Sequence, residues 1–293
     1  MALSVAATSP APAAEVLNVA HADDMGPVID GPIKRAVAAQ LGYTIQGPAE
    51  SSSLLAQLIA SGSMKPDVFV CITASPMRTV MKAGLISTAT PIARTSMVIA
   101  YNPKGSFGER LAASGNAGAT PWWQILETPG FRFGRTDPIT DPEGRNIVFV
   151  MQLAARYYHR PGLADRILGA NPLNPKQIFD GTVLQSRLQS GELDAASGYR
   201  PEPSSVGLPY IKLPEQVDLS NDALMPEYSH AALTVKGRTF RPEPLIYYAA
   251  ALKGARDPAR AEAFVKWLTQ PEAQKIFKDG FYDPIGRSQA LRA

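Results

Sequence analysis

The chain has a single cysteine, Cys71, among 293 residues, so it forms no intramolecular disulfide, and cysteine usage leaves the redox compartment open. Cys71 lies in the apolar run Asp67-Val68-Phe69-Val70-Cys71-Ile72, the setting of a buried structural thiol rather than a reactive one. No stretch of 18 or more apolar residues occurs, so nothing in the sequence reads as a membrane-spanning helix. Charged residues make up only 19%, the net charge is +3, and there is no basic block or arginine-rich helix. That excludes nucleic acid and a membrane surface as expected partners. The three histidines, His21, His159 and His230, are scattered without metal-ligand spacing and read as structural. Also absent are the serine elbow, the zinc-binding HExxH, the phosphate loop, the dinucleotide glycine pattern and CxxC. No short-period repeat is visible, which excludes a solenoid.

What is present fits two lobes of ordinary domain size, with a hydrophobic content of 45%. The segment Ala2 to Ala14 (ALSVAATSPAPAA) is small, apolar and uncharged, and resembles the tail of a secretory signal with an A-x-A-like cleavage site. It lacks a basic start, and the alternative is an alanine-rich leader without structure. Strand and helix then alternate. Strands are expected at Val16–Ala20, Tyr43–Gln46, Val68–Ile72 and Thr95–Tyr101, and helices at Pro27–Leu41, Leu54–Ser61 and Pro76–Ala83. Farther on, helices are expected to begin at Pro121 and to cover Arg145–Tyr158, Gln177–Gln189 and a pair within Pro258–Gly280. Strands are expected near Phe131 and at Leu193–Tyr199, Tyr210–Pro214 and Leu245–Leu252. This order implies an α/β fold with mainly parallel sheets covered on both faces, and ligands at the βα loops.

The most informative stretch is Phe131-Arg132-Phe133-Gly134-Arg135-Thr136-Asp137-Pro138, followed by Asp141-Pro142-Glu143-Gly144-Arg145 and an apolar run. It reads as a buried strand, a polar turn and a helix. The unpaired N–H groups and dipole of such a helix start can hold an anion. With no nucleophile or metal cluster beside it, the turn suggests binding.

The tail Arg260-Ala261-Glu262-Ala263-Phe264-Val265-Lys266-Trp267-Leu268-Thr269-Gln270-Pro271-Glu272-Ala273-Gln274-Lys275-Ile276-Phe277, then Gly280-Phe281, resembles the C-terminal segment of periplasmic solute-binding proteins of ABC importers. Within them the chain is most similar to the archaeal-type molybdate/tungstate-binding branch. The residues carrying this are Phe133-Gly134, Pro138, Asp141-Pro142, Gly144-Arg145, Tyr157-Tyr158, His21-Ala22, Lys65-Pro66-Asp67-Val68, Ser190-Gly191-Glu192-Leu193-Asp194 and Tyr199. The resemblance implies a two-lobe periplasmic-binding-protein type II fold joined by a two-strand hinge. Residues 1–14 would be the leader, 15–98 plus 243–293 lobe one, and 99–242 lobe two.

The resemblance also implies a site: Asp141 would supply a coordinating carboxylate and Tyr199 a tyrosine. Asp24 stands where the branch has an oxyanion-binding serine, Glu50 precedes the retained Ser51, and Gly181 stands where the branch has a ligating glutamate. The resemblance and the residues together imply the candidate set Asp23, Asp24, Glu50, Ser51, Ser52, Thr136, Asp137, Asp141, Arg145, Tyr199 and Arg200. Asp23 and Asp24 read equally as caps of the first helix, and Ser51, Ser52 and Ser53 as caps of the next. Asp141 also reads as an N-terminal cap, Arg145 as a solvated helix residue, and Tyr199 and Arg200 as packing.

A carboxylate beside a doubly charged oxyanion is repulsive by about 4 kcal/mol per close pair at an effective dielectric near 20. It must bind the metal centre, hold a proton, or be offset by Arg135, Arg145 or Arg200. The expected function is extracytoplasmic binding of a small oxyanion such as molybdate or tungstate, by a monomer that hands it to a membrane permease. Alternatives are a small organic anion, a metal or amine ligand, and, from another class, a periplasmic hydrolase using Asp137 and Asp141 as paired acids. No cofactor is expected.

Overall fold

A computed structural model describes residues 15–293, so the leader segment lies outside the described residues. Two mixed sheets carry the architecture. The first has seven strands in the order Leu291–Arg292, Thr88–Arg94, Ile246–Ala251, Val68–Ile72, Val16–Ala22 and Thr44–Gln46, with Ala49–Glu50 also paired to Val16–Ala22. The second has four, in the order Phe133–Gly134, Ala195–Tyr199, Met97–Tyr101 and Tyr210–Lys212. A separate hairpin joins Leu233–Val235 to Arg238–Phe240.

Helices cover both faces, which is why Val68–Ile72 and Met97–Tyr101 are buried at every position and read as continuous apolar runs. The expectation of mainly parallel sheets needs correction. Val16–Ala22 is parallel to its three neighbours, but Ile246–Ala251 is antiparallel to both of its own. In the second sheet only Phe133–Gly134 with Ala195–Tyr199 is parallel, while Met97–Tyr101 is antiparallel to both neighbours. The reason is connectivity: Met97–Tyr101 and Ile246–Ala251 are the strands by which the chain arrives from the other sheet, so they run against the βαβ units they join. The two crossings touch, with the Thr95 N–H donating to the Leu245 carbonyl at 3.1 Å.

Three helices differ from expectation. The first is broken: Gly31 has non-helical angles and Pro32 follows it, removing an N–H donor from the ladder. The long helix starts earlier, at Pro142, and runs to Tyr157 behind an Asp141 cap. The next starts later, at Gly181, because Gln177 and Phe179 spend their backbone groups on Arg135 (Arg135 N–H to Gln177 O, 2.8 Å; Phe179 N–H to Arg135 O, 2.9 Å). The C-terminal pair is Pro258–Trp267 and Pro271–Asp279. It packs Phe264, Trp267, Leu268 and Phe277 inward, and the Trp267 indole N–H reaches Gln40 at 3.1 Å.

Candidate functional site

The site grows from the turn after the two-residue strand Phe133–Gly134. Asp137 closes the turn, its Oδ1 accepting the Ile139 N–H at 2.7 Å and its carbonyl the Asp141 N–H at 2.9 Å. Asp141 caps the helix, its Oδ1 accepting the Glu143 N–H at 2.9 Å, with Pro142 in the first turn. Gly144 lets the turn lie against the helix start: a Cβ there would sit 2.4 Å from the Thr136 carbonyl oxygen. Thr136 is thereby buried at 2% exposure, with its hydroxyl beside the Asp141 carboxyl.

Loops of the first sheet face this turn. Ser51 Oγ donates to the Thr140 carbonyl at 2.6 Å, and Arg145 Nη2 donates to Ser53 Oγ at 2.8 Å. Arg145 Nη1 also donates to the carbonyls of Pro138 and Ile139, each at 3.2 Å, so one guanidinium ties the turn to the opposite loop. Asp23 approaches from the end of the first strand. A Cβ on Gly181 would lie 2.8 Å from Asp23 Oδ2 and 3.5 Å from Thr136 Cγ2. Asp23, Thr136 and the first residue of the Gly181–Ser190 helix therefore converge across the two sheets.

The electrostatics here are unusual in one respect: several carboxyls are held above their ordinary range. Burial raises Asp23, helped by the charges of Asp180 and Glu50. Burial and then Asp23 push Asp141 up to about 7, against the opposing pull of the Glu143 N–H, Arg145 and Thr136. Asp24 is pushed well up by burial and by Asp23. Glu143, which accepts the Ser197 hydroxyl at 2.7 Å, and Glu202, which accepts the Tyr199 N–H, are also raised chiefly by burial. Burial lowers Arg145 as well. A dry pocket that penalises charge of either sign keeps protons on its acids.

The structure sorts the expected residues. Asp23, Ser51, Thr136, Asp141 and Arg145 come together at the meeting of the two sheets, with Glu50 exposed beside Asp23. The Asp137 carboxylate is used in its own turn. Asp24 is buried and accepts the Tyr247 hydroxyl, while Tyr282 donates to its carbonyl at 3.0 Å. Ser52 Oγ accepts the Ile72 N–H at 3.1 Å, inside the first sheet's layers. Tyr199 is buried and its hydroxyl accepts from Asn146 Nδ2 at 3.0 Å, which places it next to the group without a free face. Arg200 is not brought in: it donates to the Phe281 carbonyl and to Asp283 at 2.9 Å. Ser53, read from the sequence as a helix cap, and Glu143 and Asn146, outside the candidate set, join the neighbourhood. Their only sequence signal was position, in a serine cluster and in the first turns of a helix. Among the described residues, no three His, Cys, Asp or Glu side chains are placed to hold a metal ion.

Residues 17–283 match the family model described as bacterial extracellular solute-binding protein. A Haloferax volcanii protein provisionally named an ABC transporter molybdenum-binding protein is 29% identical over 256 residues, covering 86% of this chain and 79% of its own. The molybdate/tungstate-binding protein of Pyrococcus abyssi is 25% identical over 260 residues, covering 82% of this chain and 74% of its own. Among solved structures, the Azotobacter vinelandii periplasmic molybdate-binding protein superposes with a TM-score of 0.62 at 20% identity, covering 92% of this chain and 99% of that one. That likeness carries the fold, two α/β lobes of the periplasmic-binding type II kind. The chain belongs to the bacterial extracellular solute-binding protein family.

Proposed function

We propose that the chain is the solute-binding component of an ABC importer and takes a small oxyanion, molybdate or tungstate, between the Asp23 and Ser51 loops and the Thr136–Arg145 turn. Lobe one, residues 15–98 plus 243–293, would close on lobe two, residues 99–242, by bending at the Thr95 and Leu245 crossings. The observation that carries the reading is the convergence of the buried Thr136 hydroxyl, Asp23, Asp141 and the start of the Gly181–Ser190 helix at one point. The relatives' names supply the ligand class.

The acids do not defeat this reading, because burial raises them and so favours their protonated forms. A protonated Asp141 or Asp23 offers an O–H donor to an oxyanion in place of a repelling charge, and helix-start N–H groups add to it. Binding a doubly negative ion to such a site draws protons onto the acids, so affinity should fall as pH rises through about 7, the value to which Asp141 is pushed. An amine is the second reading, favoured by the same acids in their ionised form, and it carries the opposite sign: its affinity would rise with pH over that range. The hydrolase alternative has less behind it: Asp137 and Asp141 each spend one carboxylate oxygen on the Ile139 and Glu143 N–H groups of their own turn. The relatives reported above are named as binding proteins, not enzymes.

The test is a thermal-shift panel of molybdate, tungstate, sulfate, phosphate, organic acids and amines on the dialysed protein. A saturable rise with molybdate or tungstate supports the reading, and a rise with amines alone sinks it. Delivery to a permease and an extracytoplasmic location belong to the same proposal, supported by the family.

A further inference from the structure

Beside this site the molecule holds a second space of about 940 Å³, open to solvent. One wall comes from the helices Ser52–Ala60 and Ala74–Lys82, the other from the start of the Pro142–Tyr157 helix and the Arg238–Phe240 strand with residues 241–243. Its charged lining is Arg78, Lys82, Arg145, Arg238, Arg241 and Glu243, five cations against one acid.

Arg145 spends its hydrogen bonds on Ser53 and two carbonyls, and the other four line the space without an ion pair among the described residues. Eight arginines elsewhere (94, 132, 156, 166, 187, 200, 256 and 260) are ion-paired to a carboxylate within 4.0 Å. Among the described residues, none of the five cleft cations has such a partner. The one acid, Glu243, instead accepts the Ser75 N–H at 3.1 Å. Two of the guanidiniums are oriented: Arg145 and Arg238 lie over the Phe240 ring, 4.7 and 5.1 Å from its centroid. Gathering five like charges around a concave space with a single counter-charge favours the entry of anionic groups, and a planar guanidinium held against an aromatic ring suits carboxylate and phosphate oxygens. The volume falls in the range of pockets for organic ligands, far more than one tetrahedral oxyanion fills.

We propose that this cleft is a binding site for an organic anion with several negative groups, a polycarboxylate or a phosphate ester, separate from the Asp23–Thr136–Asp141 site. The proposal does not depend on the oxyanion reading. Its anionic groups would be spread over Arg78 and Lys82 on one wall and Arg238 and Arg241 on the other, with Phe240 beneath.

The test is calorimetric titration of the whole protein with citrate, and separately with adenosine diphosphate, at one fixed ionic strength. Each is run with and without saturating molybdate. The double variants Arg78→Gln/Lys82→Gln and Arg238→Gln/Arg241→Gln are titrated alongside; all four positions are solvent-exposed, and melting curves check that the variants fold. The expected result is one saturable site for citrate or for adenosine diphosphate, kept in the presence of molybdate and weakened about tenfold or more by each double variant. Whichever of the two binds names the ligand type. Molybdate affinity should stay unchanged in both variants. Absence of saturable binding by both anions, indifference to the four substitutions, or displacement by molybdate would overturn the proposal. If molybdate itself fails to bind while citrate or adenosine diphosphate binds in a variant-sensitive way, the cleft stands and the oxyanion reading falls.

Discussion

Arg145 Nη2 donates to Ser53 Oγ at 2.8 Å, and this bond joins the first turn of the Pro142–Tyr157 helix to the first turn of the Ser52–Ala60 helix on the other lobe. With Nη1 shared between the Pro138 and Ile139 carbonyls, the guanidinium is 8% exposed and almost fully used. Ser53→Ala leaves that charged donor short of one acceptor, which costs on the order of 1–3 kcal/mol. The expected outcome is a melting temperature lower by several degrees by calorimetry, at roughly 2–4 °C per kcal/mol. Arg145→Met removes all three bonds and should cost more. An unchanged melting temperature for Arg145→Met would show that the bonds are not formed in solution.

Gly144 makes the turn possible. Gly144→Ala puts a methyl 2.4 Å from the Thr136 carbonyl, backbone against backbone, where neither side can swing away. An overpacking cost of about 1–3 kcal/mol is expected, with molybdate affinity lost because Thr136 and Asp141 move together. Gly115→Ala is the control, since nothing lies within 4 Å of its would-be Cβ. Equal melting temperatures for the two variants would contradict the packing described.

The acids predict a pH signature in the unliganded protein. Asp141 rises from an ordinary 3.8 to about 7 in the fold. Between those values the unfolded chain loses the proton and the folded one keeps it, so this group subtracts stability progressively as pH rises through that window. Above about 7 the loss is complete and constant; below 3.8 it is absent. Asp141→Asn keeps the helix cap, since asparagine caps as well as aspartate, but removes the titration. Its melting temperature should gain on the parent between pH 4 and 7, then hold a constant lead above about 7. A lead that shrinks as pH rises would mean that Asp141 is ionised and well partnered.

Much of the fold was legible because it was written in local pattern. The buried runs at Val68–Ile72 and Met97–Tyr101 and the C-terminal helix pair stand where periodicity places them, and Asp141 caps its helix as its position suggests, though the helix begins three residues before Arg145. Thr88–Arg94 escaped because Pro91 interrupts it. The structure tolerates that proline where the pairing with Ile246–Ala251 shifts register, between Tyr247 and Tyr248. The kink at Gly31-Pro32 was readable from the proline alone.

The site was half legible, for a geometric reason. Ser51, Ser52 and Ser53 are adjacent in sequence, but successive residues entering a helix point about 100° apart. Ser51 therefore reaches Thr140, Ser52 reaches Ile72 in its own lobe, and Ser53 reaches Arg145. Asp24, read from the sequence as a binding candidate or a helix cap, accepts the hydroxyl of Tyr247, a partner 223 residues away that local pattern does not reveal. Arg200 went to Phe281 and Asp283 by the same kind of long-range contact.

If the raised acids donate to a bound oxyanion, binding must carry protons with it. Titrations near pH 7 in buffers of different ionisation enthalpy should give apparent enthalpies that differ by the buffer term, with net proton uptake. Asp141→Asn should reduce that uptake. Binding without proton uptake would leave the carboxyls ionised and require direct contact with the metal centre of the anion.

The central claim is that this chain holds a molybdate-class oxyanion between Asp23, Thr136 and Asp141. The most direct measurement is calorimetric titration of the dialysed protein with molybdate at pH 6 and pH 8, with sulfate as the competitor. The account predicts saturable one-to-one binding, tighter at the lower pH, not displaced by sulfate, and lost in Thr136→Val. No heat with molybdate or tungstate at either pH, or binding that Thr136→Val leaves intact, would contradict it.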